Sequence, residues 1–380
     1  MCSNEHSSYK SVLPSQKIRK LLLNQQIISD TKFENEQVQP SSMDLRLGPK
    51  AWRMRASFLP GIKRTVNSCI SEFAMQEIDL SNGYILEKGS VYLIELKESL
   101  NLPDNIEGFA NAKSSTGRLD LFTRLISDYC TEFDRVIKGY KGPLYAEIAP
   151  NSFSVFAKEN IKLNQIRFKL NESSITYQSK IKKNSFKPKN FSINLSCSNN
   201  YIIGYRAKPH TDLIDLSKIN YYKIEDYWEK IIPNNHQIVL DPGAFYILSS
   251  REFVSIAPNQ AAEMAPYLPL IGEFRVHYEW FFDPGFGYSS DNTQNSRAVL
   301  EVRCHDTPFI LEHGQNMGQL IFENMLEKPD LIYGKTLKSN YQGQGLKLSK
   351  HFKAWYNFSE FKFQILHLQN LLRNQLLLVL

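Results

Sequence analysis

The sequence predicts a mainly β protein, built from two tandem copies of one distorted β-barrel or sandwich domain with few short helices. Three observations point there. Segments recur in order at a near-constant spacing, each copy breaks into short apolar runs punctuated by turns, and helical periodicity is scarce.

The recurrence decides the architecture. Residues 85–94, ILEKGSVYLI, resemble 239–248, VLDPGAFYIL, 154 residues on. AEI at 146–148 falls on LEV at 300–302, and LNQIRF at 163–168 on MGQLIF at 317–322, at that same spacing. SMDLRL at 42–47 and SINLSC at 192–197 are 150 apart, which places a few inserted residues between the anchors. Residues 1–171 therefore form a first repeat and 191–335 a second. Between them, 172–190 (ESSITYQSKIKKNSFKPKN) is a polar, basic linker, and 336–380 form a C-terminal arm and tail.

The elements follow in chain order. PSQKIRKLLLNQQII, residues 14–28, reads as a helix with Ser15 as its cap and Ile18, Leu21, Leu22 and Ile28 at helical spacing. YILEKGSVYLIEL and its counterpart QIVLDPGAFYILSS read as strands broken at Lys88-Gly89 and Pro242-Gly243. IEDYWEKII, residues 224–232, suggests a second helix. TPFILEHGQNMGQLIF has a hairpin pattern with its turn near Glu312-His313-Gly314. The last twenty residues, FKFQILHLQNLLRNQLLLVL, suit an amphipathic docking helix; Lys362, His367 and Arg373 make them too polar for a membrane span.

At 380 residues, 42% hydrophobic and 22% charged, the chain has room for two packed cores. The net charge of +6 suits an anionic small molecule, and no run of Lys and Arg is dense enough for a nucleic-acid groove. The five cysteines, Cys2, Cys69, Cys130, Cys197 and Cys304, lack metal-site or redox spacing. With no secretory signal and no long apolar run, they predict reduced thiols and a cytoplasmic, non-membrane protein.

Chemistry concentrates at 108–120, GFANAKSSTGRLD. Lys113, Ser114, Ser115 and Arg118 put two cations and two hydroxyls beside Gly117, the donor set that phosphates need, although surface loops of this composition are common. The second copy reads EMAPYLPLIGE at 263–273: Gly272 answers Gly117, while the polar positions become Leu268, Pro269, Leu270 and Glu273. Only one copy keeps the cationic loop, which the fold alone does not demand. Glu147 in LYAEIAP and its twin Glu301 in VLEVR are acidic residues flanked by apolar ones. Either burial raises such a carboxyl's proton affinity, or a neighbouring cation pairs with it. Asp134 and Asp283 precede Gly-rich hairpins that let backbone approach a ligand, or they cap turns. Gln165 and Gln319 face a ligand or a strand edge.

Together these residues resemble the dCTP deaminases of the dUTPase-like (β-clip) superfamily, in the two-repeat form of some bacteria. The resembling stretches include LPSQKIRKLL, QPSSMDLRLGPKAWRMRASFLPG, AKSSTGRL, YAEI, HYEWFFDPGFGY, AVLEVRCHDTPFILEHGQ and YQGQGLKLSKHF, within residues 11–353. The resemblance implies zinc-free hydrolytic conversion of dCTP to dUTP and ammonia, supplying dUTP for thymidylate synthesis. Glu147 would activate water against C4 of cytosine, with Ser114 and Arg118 as its catalytic partners. Lys113 and Ser115 would hold the triphosphate, with Asp134 and Gln165 as further substrate contacts. Asp283, Glu301 and Gln319 would be the second repeat's contribution. Mg²⁺ would ride on the triphosphate. Tyr341 to Gly345, including Gln344, would belong to an arm closing over the nucleotide. A homo-oligomer follows from the trimers of single-repeat members, with dTTP as feedback inhibitor. Residue types agree on the metal: His277-Tyr278-Glu279 has the first half of a zinc deaminase signature, but no C-x-x-C follows.

The chain departs from the family at Lys113, where Arg is common, and in a longer segment between Asp134 and Glu147. Two other readings stand beside deamination. One is a dUTPase-like diphosphohydrolase or a bifunctional enzyme, faintly signalled by Asp134 with Tyr140 and Gly142. The other is a non-catalytic nucleotide-binding regulator.

Overall fold

Alternating apolar residues along Met43–Met54, Val91–Asn101, Lys141–Pro150 and Lys162–Glu172 make long antiparallel strands, and these build the first repeat. The computed structural model describes residues 9–172, 187–196, 202–232, 235–266, 274–276, 281–288, 296–304, 306–334, 341 and 343–353. The main path of the first sheet runs Leu121–Ser127, Lys141–Pro150, Val91–Asn101, Met43–Met54, Lys162–Glu172, Ile106–Ala112, Arg135–Val136. Met43–Met54 pairs with Lys162–Glu172 through its first half and with Val91–Asn101 through its second, with a register shift between Leu47 and Ala51. Gly48 lies in that irregularity, where a Cβ would stand 2.6 Å from Glu95 O, so only glycine lets the strand bend there. One strand thus serves two halves of the sheet and curls it toward a barrel.

The second repeat reuses the pattern. Gln165 pairs with Asn111 in the first repeat, and Gln319 with Ala265 in the second. Glu147 opposes Leu93, and Glu301 opposes Ile247. Each residue and its counterpart are 154 positions apart, so the duplication holds in register as well as in sequence.

The repeats pack as neighbours and share a large apolar core. The larger core joins Phe153, Val155 and Ile148 of the first repeat to Trp228, Phe245, Ile247 and Val299 of the second. Trp228 sits 5.4 Å from Phe153 and 5.9 Å from Phe352, ring centroid to centroid, in edge-on contacts that favour aromatic clusters. The short strand Ile214–Asp215 adds in parallel to Val155–Ala157, carrying the second repeat's segment into a first-repeat sheet. A second core, around Ile193, Leu240, Leu248 and Leu300, is internal to the second repeat.

Several local expectations are corrected. The first helix spans only Ser15–Leu23 and its N-cap is Pro14; the Ser15 hydroxyl instead donates to Asp330 of the second repeat. Ile28 belongs to a short strand against Val91–Asn101. Of the segment 224–232, only Ile224–Tyr227 is helical; Trp228–Ile231 is a strand, because its aromatic and β-branched residues pair with Gly204–Ala207. The turn at Gly314 (φ +81°) is present, but its flanking strands diverge: Phe309–Glu312 pairs with Gln237–Leu240, and Asn316–Asn324 with Gln260–Pro266. Helix Val66–Phe73, capped by Thr65 accepting from Ser68 N–H, had no clear sequence signal. The linker stretch 173–186, the second copy's 267–273 and the tail 361–380 lie outside the described residues. Among the described residues, no helix is long and apolar enough to cross a membrane.

Candidate active site between the repeats

The loop after strand Ile106–Ala112 forms one helical turn, Ser114–Gly117, tied to its neighbour strand. Lys113 N–H donates to Leu163 O at 2.8 Å, and the Thr116 hydroxyl donates to the same carbonyl at 2.8 Å. This turn faces the second repeat across a cavity of about 200 Å³. Its walls include Lys113, Ser114, Ser115, Arg118 and Gln165 from the first repeat, and Phe281, Phe282, Asp283 and Val299 from the second. Tyr333, Tyr341, Gln344 and Lys350, from the end of the second repeat and the arm, close it. A larger space of about 620 Å³ adjoins it, sharing Gln39, Asp44, Lys113, Ser115 and Lys350 and adding Lys162 and His351.

Arg118 organises the arm. Its Nη1 donates to Lys347 O at 2.7 Å and its Nη2 to Gln344 Oε1 at 3.0 Å, while the guanidinium stacks 4.0 Å from the Tyr341 ring centroid. Ser349 Oγ donates to Ser115 O at 2.6 Å, binding the arm to the loop a second time. The arm's far end is anchored under the second repeat: Asn220 N–H donates to Lys350 O at 2.8 Å, and Phe352 packs 5.5 Å from Tyr227.

Glu301 comes from the opposite side. It is fully buried, and neither carboxylate oxygen has a hydrogen-bond partner. It lies against Gly117, where a Cβ would sit 2.7 Å from Oε1. Burial pushes this carboxyl well above the usual carboxylate range; nearby Arg118 opposes that rise and Asp120 adds to it. A carboxyl of raised proton affinity thus lies beside the cationic loop. Val299, two residues along the same strand face, lines the cavity.

Glu147 is placed elsewhere. Neither Glu147 nor Glu301 is among the residues lining the cavity, but Glu147 is paired: Arg124 Nε donates to its Oε1 at 3.0 Å, with a second, closer contact from Nη2. Arg124 Nη2 also donates to Ser57 Oγ at 2.8 Å and the guanidinium stacks 3.5 Å from the Phe133 ring centroid. Among the described residues, Glu147 is paired within its own repeat, whereas Glu301 meets the loop of the other.

The remaining sequence candidates divide. Gln165 lines the cavity and is held by Ser42 Oγ and Asn111 Oδ1, each at 3.0 Å. Asp283 also lines it; Ser41 Oγ donates to Oδ1 at 2.5 Å, and burial raises its carboxyl while Arg167 opposes. Lys113 lines it but is ion-paired with Asp44. Asp134 is outside: at φ +60°, it accepts Leu125 N–H at 2.7 Å and shapes a turn. Gln319 stands on its strand away from the cavity. His277 and Glu279 lie outside the described residues. Asp44, Tyr333 and Lys350 were missed. Asp44 had a signal in the repeated SMDLRL motif, but nothing around Lys350 marks it before the arm is folded back.

A duplicated β-barrel whose halves close a cationic cavity, with a buried carboxyl against the cationic loop, defines a protein of the dUTPase-like class. Comparisons narrow this. Family models for the N-terminal and C-terminal domains of 2'-deoxycytidine 5'-triphosphate deaminase match residues 9–173 and 164–352. The crystal structure of 2'-deoxycytidine 5'-triphosphate deaminase from Agrobacterium tumefaciens is 45% identical, with a TM-score of 0.77, covering 84% of this chain and 99% of that one. The dUMP-forming dCTP deaminase of Methanosphaera stadtmanae is 26% identical over 140 residues, 37% of this chain and 68% of that one. That of Persephonella marina is 28% identical over 117 residues, 29% of this chain and 60% of that one. The chain belongs to the 2'-deoxycytidine 5'-triphosphate deaminase family.

Proposed function

We propose that this chain hydrolyses dCTP to dUTP and ammonia at the cavity between its repeats, with Glu301 as the proton carrier. The observation that carries this is the buried, unpartnered Glu301 carboxyl against the Ser114–Arg118 loop. Among the described residues Glu147 is ion-paired with Arg124, whereas Glu301 has no partner and meets the cationic loop, so the proton-carrying role passes to Glu301.

The chemistry balances with one carboxyl. Protonated Glu301 gives its proton to cytosine N3, which makes C4 electrophilic. The resulting carboxylate takes a proton from water as the water oxygen bonds to C4. Glu301 then protonates the amino group; the C4–N bond breaks, ammonia leaves, and the C4 hydroxyl returns its proton as C4=O forms. Ser114 and Arg118 orient water and base. Lys113, Ser115 and Lys350 face the phosphates, and Gln165, Asp283, Tyr341 and Gln344 contact the remainder of the nucleotide. Mg²⁺ fits as part of the substrate: the cavity's Lys113, Arg118 and Lys350 match phosphate oxygens, leaving phosphates and water as the metal's ligands. Bound there, it would neutralise and fold the triphosphate. dTTP shares the deoxyribose and triphosphate, so in this reading it would compete at this cavity and act as a feedback inhibitor. In this reading the first repeat, 1–171, supplies the loop and the second, 191–335, the acid, with assembly into a homo-oligomer serving stability.

One assay tests the reading. Purified chain is incubated with Mg²⁺ and either dCTP or dUTP, and ammonia and pyrophosphate are followed. Ammonia from dCTP without pyrophosphate supports deamination alone. Pyrophosphate as well supports the dUMP-forming reaction in the names of the Methanosphaera stadtmanae and Persephonella marina relatives. Neither product overturns both.

A further inference from the structure

Two residues beyond Glu301 on the same strand face, Arg303 reaches back to the first repeat. Its guanidinium pairs with Asp120, and Ser152 Oγ donates to the same carboxylate oxygen at 2.6 Å. Asp120 is buried at φ +54°, a conformation that a turn with no need of a side chain leaves to glycine. It closes the helical turn of the loop: its N–H donates to Gly117 O at 2.7 Å, and its carbonyl accepts from Asn151 N–H at 3.0 Å. One strand face therefore presents in succession the cavity wall at Val299, the acid at Glu301 and the cation at Arg303. The opposing loop presents Gly117, Arg118 and Asp120.

Among the described residues, the charges around Glu301 are few. Arg118 and Asp120 face it from the loop and its closing turn, Tyr341 from the arm, and Arg303 flanks it on its own strand. Ile247, opposite on the neighbouring strand, carries no charge. Asp120 is itself pushed up by burial, against the pull of Arg303 and Ser152. Two buried carboxyls in one site drive their proton affinities apart. Arg303 and the Ser152 hydroxyl favour the ionised form at Asp120 against its burial, and that charge in turn raises Glu301.

We propose that Asp120 and Arg303 form a positioning pair for the reaction: their contact sets where Glu301 stands against Gly117 and Arg118 and supplies the negative charge that faces it. This rests on Glu301 as the proton carrier. Activity then requires protonated Glu301 and falls as pH rises through its titration. The pair acts on that limb by its charge.

The test measures kcat/KM for dCTP against pH on the full chain, with thermal melts alongside, for D120N, R303Q, R303K and E301Q. Asn tolerates a positive φ, so D120N removes charge with little change of shape. Losing the negative charge moves the alkaline limb down by about one pH unit, a roughly tenfold loss above the limb that acidification restores. R303Q, losing the positive charge, moves the limb up, and R303K leaves it in place. If D120N fails to fold, R303Q against R303K carries the test alone. A merely structural pair would lower activity at every pH with the limb unmoved, and that result overturns the proposal. E301Q separates the two claims. Normal turnover by E301Q removes the proton-carrier reading; an inactive E301Q with unmoved limbs in D120N and R303Q removes only the positioning pair.

Discussion

Glu301 rests directly on Gly117, with Oε1 2.7 Å from where a Cβ would begin. That contact joins a carboxyl of the second repeat to the loop of the first, and it explains why the loop carries glycine at a position whose φ is not positive. Gly117→Ala is expected to push the carboxyl out of place. Overpacking of this kind costs about 1–3 kcal/mol. Steady-state assays with dCTP are expected to show at least a tenfold loss of kcat, alongside a lowered melting temperature.

The twin glutamates are expected to respond oppositely to amide replacement. Glu301→Gln is isosteric with the protonated acid, so dCTP turnover is lost while nucleotide binding, measured calorimetrically, is kept. Glu147→Gln breaks a partly exposed pair with Arg124 and is expected to cost about 1–3 kcal/mol of stability while turnover survives. Loss of turnover in Glu147→Gln equal to that in Glu301→Gln would refute the division.

Glu301 also gives a pH signature. Its folded proton affinity is raised above the ordinary value of 4.5 by burial. The carboxyl therefore costs nothing below that pH, and stability is lost as pH rises toward its folded titration point. Glu301→Gln removes this loss. Its melting temperature is expected to match the wild type near pH 4 and to exceed it increasingly toward pH 8. A constant difference across that range would contradict a buried protonated acid.

Lys350 is crowded by its own kind: burial first, then Lys113 and Lys162, lower its proton affinity, while Asp44 opposes. An anion in the cavity relieves that repulsion. Lys350→Ala is expected to raise KM for dCTP about tenfold, the worth of one charge-assisted contact. Binding of dCMP, with fewer phosphates, is expected to change little; equal weakening of both would place Lys350 away from the phosphates.

The arm's tie to the loop can be cut alone. Ser349→Ala removes the donor to Ser115 O, a hydrogen bond worth about 1 kcal/mol. KM for dCTP is expected to rise severalfold with kcat nearly kept, since Ser349 touches the loop and not the reacting base. A fall in kcat at unchanged KM would show that the arm acts on chemistry instead.

Much of this molecule was legible before folding. The 154-residue spacing gave two β-rich repeats, and the KSSTGR loop against an apolar counterpart marked one repeat as the phosphate side. Both copies kept a glutamate at one register, so the carboxyl chemistry was visible as well. Short elements were read less well. Trp228–Ile231 became a strand and the strands flanking Gly314 parted, because pairing partners from distant sequence overrode local periodicity.

The choice between the two glutamates was beyond sequence. Local flanks are equally apolar at Glu147 and Glu301, and proximity in sequence favours Glu147, which lies nearer the loop along the chain. Packing distinguishes them: Arg124, itself held by Ser57, pairs with Glu147, while Glu301 is brought onto Gly117. Residue types thus determined that there is a cationic loop and a carboxyl to serve it. Only the tertiary structure tells the two carboxyls apart, one paired with Arg124 and one unpartnered against Gly117, because burial and charge pairing are set by how the repeats pack.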